Sequence, residues 1–188
     1  MILFKNVEKT YGDDSYALKN INIKIEDGEF VVLVGQSGAG KSTIMKLITG
    51  EETPSTGEVY LGKTRVDRLR YKDLPDHRKK LGIIFQDFKL LTQKTAYENI
   101  AFAMEILGKD PLEIQRKVPR FLNIVGMGGK ANKFPREMSG GEQQRIAIAR
   151  ALINEPKVLL ADEATGNLDV FNSWDIVNLL LKINEQLR

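Results

Sequence analysis

The stretch Gly35-Gln36-Ser37-Gly38-Ala39-Gly40-Lys41-Ser42-Thr43 directly follows the apolar run Phe30-Val31-Val32-Leu33-Val34. Residues 35 to 42 fit the pattern Gly-x-x-x-x-Gly-Lys-Ser/Thr. Glycines let such a loop curl until its backbone N–H groups face one point, which suits a polyphosphate. A helix starting at Lys41 turns its positive end toward the same anion. Lys41 can reach β- and γ-phosphates, and the Ser42 hydroxyl can ligate Mg²⁺. The run 30 to 34 is apolar on both faces, which predicts a buried parallel strand. Lys41 to Thr49 reads as a helix: Ile44, Leu47 and Ile48 share a face, and Gly50 is placed to end it.

Outward from that loop, strands alternate with helices, which predicts an α/β domain. Strand-like runs occupy Ile2 to Val7, Ile21 to Ile25, Glu58 to Leu61, Leu81 to Phe85 and Val158 to Ala161. Asp27-Gly28 and Pro54 to Gly57 are turns. Thr95 with Glu98 makes a capping box for a helix to about Leu107. Another helix starts near Pro111, and Pro119 either kinks it or begins a new one. Gly126 to Glu137 reads as a loop, Ser139-Gly140-Gly141 opens a helix to about Ile153, and Phe171 to Leu187 is helical in pattern.

The 188 residues carry no cysteine and one histidine, His77, which excludes disulfides, thiolate zinc sites and multi-histidine metal sites. No apolar stretch approaches the ~20 residues of a membrane span. The net charge of +3 is too small to argue for nucleic acid. The mixed run Arg65 to Lys80 reads as a solvated face.

Asp162 and Glu163 close the apolar strand that begins at Val158. In a parallel sheet shared with the loop at residue 35, they emerge at the same edge. Adjacent strand residues point oppositely, so the two carboxylates take different jobs. Asp162 can hold Mg²⁺ through water, and Glu163 can polarise an attacking water.

Met138-Ser139-Gly140-Gly141-Glu142-Gln143-Gln144-Arg145 is a capped helix start with two bare backbone positions, a second anion site. It resembles the signature motif of ABC ATPases, usually LSGGE or LSGGQ, with Met138 in place of leucine. The resemblance spans nearly the whole chain. Tyr11 matches the adenine-stacking aromatic, residues 35 to 43 Walker A, Gln86 the Q-loop glutamine, Asp162-Glu163 Walker B with its catalytic glutamate, and Gly166-Asn167-Leu168-Asp169 the D-loop. The implied fold is a P-loop NTPase with a RecA-like core, an N-terminal antiparallel β subdomain and a helical signature subdomain. Residues 1–86 and 154–188 would form the core with its β subdomain, and 87–153 the helical subdomain.

The resemblance implies an ATP hydrolase with ATP and Mg²⁺. Lys41, Gln86 and Glu163 would be catalytic, and Ser42, Gln86 and Asp162 would serve the metal. Tyr11, Gly35, Gln36, Ser37, Gly38, Ala39, Gly40, Lys41, Ser42 and Thr43 would hold the nucleotide. Ser139, Gly140 and Gly141 would complete the site of a second copy in an ATP-dependent homodimer. Phe85 to Leu91, Tyr97-Glu98-Asn99-Ile100 and Gly166 to Asp169 resemble the cell-division family FtsE, whose partner is the membrane protein FtsX. That implies a cytoplasmic protein, peripheral on the inner face of the membrane, without nucleic acid. Lipoprotein-release and macrolide-export ATPases share the D-loop stretch. A nucleotide-gated scaffold with weak hydrolysis is the third reading. The family places a switch histidine beyond the D-loop, on a strand not reached before Arg188, and His77 lies before the Q-loop. Ala164 also stands where proline is usual. The expectation is a C-terminally shortened cassette that binds Mg-ATP and hydrolyses it poorly.

Overall fold

The computed structural model describes residues 1–12 and 15–186. They form two compact units, Met1–Arg78 with the segment from Ile183 onward, and Lys79–Lys182.

The first unit is built on an antiparallel sheet. Its strands are β1 (Ile2–Tyr11), β2 (Ser15–Ile25), β3 (Thr56–Leu61) and β4 (Thr64–Arg65), in the order β2-β1-β3-β4. Ile2 and Phe4 pair with Leu61 and Val59, and all four are buried on one face. Strict alternation would turn Asn6 inward next. Instead the register shifts between Phe4 and Val7, Asn6 takes a positive φ of 47°, and Val7 becomes the buried residue. This is a β-bulge, an extra residue that resets which side chains face inward. Gly57 lies against it: a Cβ there would sit 2.4 Å from the Asn6 carbonyl oxygen.

Helix α1 (Lys41–Thr49) has the bounds that its periodicity predicts, and Gly50 ends it in the left-handed conformation. Its inner face, Leu47 and Ile48, is buried. The short helix α2 (Leu74–Arg78) is tied to its end by His77, whose Nε2 lies 2.7 Å from the Ile48 carbonyl oxygen.

The buried strand expected at 30 to 34 is corrected. These residues are assigned to no strand, and their side chains are exposed, Val34 to 91%. A run of apolar residues records a tendency to be covered. It becomes a strand only when a ladder partner supplies hydrogen bonds, and no pairing among the described strands includes it.

In the second unit, β5 (Leu81–Ile84) and β6 (Val158–Ala161) pair in parallel, Ile84 opposite Ala161. Helices α3 (Ala96–Glu105), α4 (Pro111–Ile124) and α5 (Gly140–Leu152) follow the predicted starts, and one helix runs through Pro119. The 126–137 loop contains two short 3₁₀ turns, at Gly128–Lys130 and Pro135–Glu137. Helix α6 spans Val170–Gln186, and Leu187 lies outside the described residues. Ile146, Ala147, Ile148 and Ala149 are all buried, so α5 is the core helix. Gly82 lets it approach β5, since a Cβ there would meet the Ala151 carbonyl oxygen at 2.6 Å.

Asn99 shows what the Tyr97-Glu98-Asn99-Ile100 stretch does physically. Fully buried, it donates to the carbonyls of Leu91 (3.1 Å), Lys94 (3.0 Å) and Thr95 (2.9 Å) and accepts from Leu91 N–H (2.8 Å). One amide thus closes the loop that precedes α3.

The expected capping box forms, and Ser139 makes a second one. Thr95 Oγ1 accepts from Glu98 N–H and Glu98 Oε2 from Thr95 N–H. Ser139 and Glu142 make the same exchange. Thr95 N–H holds the Glu98 carboxyl below its ordinary range, and the Lys130 ammonium, with Ser139 N–H, does so for Glu142. A lowered folded-state value contributes stability above the unfolded value and loses it as pH falls through the folded one. Urea midpoints should therefore decline as pH drops below about 4.3, the free glutamate value. Glu142→Gln should flatten part of that decline. An unchanged acid limb in the variant would show that the Lys130–Glu142 pair contributes nothing to it.

Candidate functional site

The phosphate loop lies in the first unit. Gly38 and Gly40 adopt φ of 81° and 86°, the left-handed region where a side chain is strained. Gly40 is doubly constrained, because a Cβ would lie 2.6 Å from the Ala17 carbonyl oxygen and from Leu18 Cδ2. Ala39 N–H donates to the Gln36 carbonyl at 3.1 Å, closing the turn. Lys41 folds back over it and donates to the carbonyls of Gly35 (2.8 Å) and Gln36 (3.0 Å). The curled loop, the ammonium against it and the start of α1 together fit an anion. Ser42 is exposed on the first turn of α1 and Thr43 is half-buried beside it.

Tyr11, at the end of β1, is 42% exposed, and the Lys9 ammonium stands 4.9 Å from its ring centre. Lys9 is itself held by Glu52 and the Thr53 carbonyl, both at 2.8 Å. One ring face is therefore covered by a cation that Glu52 and Thr53 hold in place.

The acidic strand end lies in the second unit. Asp162 N–H donates to the Ile84 carbonyl at 3.0 Å, extending the β5–β6 ladder by one residue. Gln86 and Asp162-Glu163 consequently leave the same end of the two parallel strands. Glu163 is exposed and has a φ of 48°, a costly conformation for a side chain of this size. Gly166 N–H donates to the Glu163 carbonyl at 2.8 Å, and Asn167 Nδ2 to the Gln86 carbonyl at 2.9 Å. A Cβ on Gly166 would meet Gln86 Nε2 at 2.8 Å. The stretches at 86, 163 and 166–169 thus pack as one piece.

The capped start of α5 joins that piece. A Cβ on Gly141 would lie 2.5 Å from Asn172 Oδ1, and one on Gly140 would lie 3.3 Å from Leu168 Cδ2. Asn172 N–H in turn donates to Asp169 Oδ1 at 2.9 Å, which holds the Asp169 carboxyl below its ordinary range. A side chain at Gly141 would therefore displace Asn172, while one at Gly140 would be only tight against Leu168. Ser139, which caps the helix, is exposed.

Two residues of α5 escaped sequence reasoning. Arg150 donates to the carbonyls of Lys89 (2.6 Å) and Phe88 (2.7 Å), two residues that both have positive φ. Burial pushes its pKa down. Gln144 is fully buried and donates to the Ala164 carbonyl at 2.8 Å. Its signal was present: it lies three residues after Gly141 and four before Ile148, on the apolar stripe of the helix.

Residues 18–166 match the family model described as ABC transporter. The chain belongs to the ABC transporter family. Among ABC proteins it is 54% identical over 185 residues to the cell division ATP-binding protein FtsE of Mycobacterium tuberculosis, covering 98% of this chain and 80% of that one. With FtsE of Streptococcus pneumoniae it shares 47% identity, over 99% of this chain and 81% of that one. The ATP-binding cassette MJ0796, solved as a dimer in a post-hydrolysis state bound to ADP and Pi, superposes with a TM-score of 0.85 at 39% identity, over 99% of this chain and 84% of that one. The fold is that of an ABC ATPase, with its antiparallel β portion and its helical signature portion. Among the described residues no helix is long and apolar enough to cross a membrane.

Proposed function

We propose that this chain is the ATP-binding and ATP-hydrolysing subunit of a cell-division ABC complex of the FtsEX type. The carrying observation is the loop at 35–43, curled by Gly38 and Gly40 around the Lys41 ammonium. The 54% identity to an FtsE chain supports cell division as its setting.

In this reading Tyr11 stacks on the base with the ring face that Lys9 leaves open. Gly35 to Thr43 hold the phosphates through backbone N–H groups and Lys41. Ser42, Gln86 and Asp162 supply oxygens suited to Mg²⁺, a hard ion that needs few protein ligands when phosphate oxygens supply the rest. Mg²⁺, when bound, neutralises phosphate charge. Glu163 accepts a proton from the attacking water and orients it. Gln86 lies against the D-loop and senses the γ-phosphate. Ser139, Gly140 and Gly141 complete the nucleotide site of a second copy. ATP thus joins a homodimer, and hydrolysis releases it. Residues 1–86 and 154–188 act as core with β subdomain and 87–153 as helical subdomain. The dimer sits on the inner face of the membrane through an integral partner resembling FtsX.

Co-expression with an FtsX-type membrane subunit tests the reading. The chain should co-purify with it in detergent, and the complex should hydrolyse ATP. Recovery of the chain only in the soluble fraction, with no ATP turnover beside an active FtsE control, would overturn it.

A further inference from the structure

Gln144 is a polar residue where the core of the second unit would accept an apolar one. Its Nε2 donates to the Ala164 carbonyl at 2.8 Å, while its Oε1 is buried without a hydrogen-bond partner. Leaving a buried amide oxygen unpaired costs stability, so the residue is poorly explained by packing. What it holds is the carbonyl of Ala164, the residue directly after Glu163. On the other side of Glu163, Asp162 N–H is fixed to the Ile84 carbonyl at 3.0 Å. Between these two anchors Glu163 sits at a φ of 48°. A strained conformation persists where its surroundings over-determine it, and Gln144 does so together with the Asp162 N–H bond to Ile84 and the Gly166 N–H bond to the Glu163 carbonyl.

Ser139 caps the same helix five residues earlier, about 7–8 Å along its axis. The anion site at the helix start and the backbone of Glu163 therefore belong to one rigid element. We propose that Gln144 is a positioning residue that sets Glu163 for hydrolysis and couples it to the start of α5. Resting on the ATPase reading above, this gives the two nucleotides of a dimer a direct physical link. A phosphate held at Ser139–Gly141 for the partner's site shifts α5, and Gln144 passes the shift to this chain's own Glu163.

Gln144→Met tests this, because methionine keeps the length and volume while removing both the donor and the unpaired acceptor. A structural role predicts lost stability. The positioning role predicts an unchanged or raised Tm, a kcat lower by about tenfold and a KM for ATP within about twofold of the parent. The Hill coefficient for ATP should fall from about two toward one. Unchanged kcat and Hill coefficient would overturn the inference, as would a variant that fails to fold by circular dichroism or loses kcat only in step with a raised KM. The parent chain and Glu163→Gln run alongside. A parent without ATP turnover would sink the ATPase reading itself, whereas an active parent, an inactive Glu163→Gln and an unaffected Gln144→Met would sink only the role of Gln144.

Discussion

Glu163→Gln should lower ATP turnover by about 10²–10³-fold while leaving ATP affinity within a few-fold of the parent. The substitution keeps the size and hydrogen-bonding reach of the side chain and removes its capacity to accept a proton. Its backbone environment should survive. The φ of 48° is held by the Asp162 N–H bond to Ile84, by the Gly166 N–H bond to the Glu163 carbonyl and by Gln144 on Ala164, none of which involves the carboxylate. Glu163 is exposed, so the change buries no unpaired amide. Because phosphate-loop and signature-helix contacts remain, nucleotide can still join two copies, and the missing step is the one that separates them. Light scattering with ATP should show a persistent dimer. A variant that stays monomeric under conditions where the parent dimerises would sink this assignment, as would one that turns over normally.

Much of the architecture was legible because its causes are local. The bounds of α1 follow from three apolar residues on one face and a glycine beyond it, and the starts of α3 and α5 follow from the capping box of Thr95 with Glu98 and from Ser139 as a cap. Strand β6 was read to the residue, since Pro156 and Asp162 bracket a short apolar run. The run 30–34 was misread for the opposite reason. Its composition matches that of β5 and β6, but a strand depends on a distant neighbour that composition does not name. The bulge at Asn6 was equally invisible, since it depends on Gly57 in another strand.

The candidate site divides the same way. Motif spacing named Gln86, Asp162 and Glu163, but it said nothing of what each packs against. That Gly141 must be glycine because Asn172 leaves no room, or that Arg150 clamps Phe88 and Lys89, depends on contacts between residues 31 to 62 positions apart. Arg150 looks like an ordinary helix residue until the backbone carbonyls it holds are known.

Lys41→Ala should weaken ATP binding by about 10- to 100-fold, as expected for a charge-assisted contact of about 1.5–3 kcal/mol at 1.4 kcal/mol per tenfold. In the described conformation the ammonium is spent on the Gly35 and Gln36 carbonyls, 2.8 and 3.0 Å away. Those oxygens belong to an exposed loop, so water can replace the lysine and Tm should change little. The loss therefore falls on the ligand. It should also be graded by phosphate number, since the lysine reaches the β- and γ-phosphates. ATP and ADP should weaken while AMP is nearly unaffected. Lys41→Arg restores the charge but exchanges a compact point charge for a wide planar fork beside a glycine turn, so it should recover only part of the affinity. Titration calorimetry with the three nucleotides reads each arm. Unchanged ATP affinity in Lys41→Ala, or an equal loss for AMP, would mean that the phosphates do not lie where this lysine can meet them.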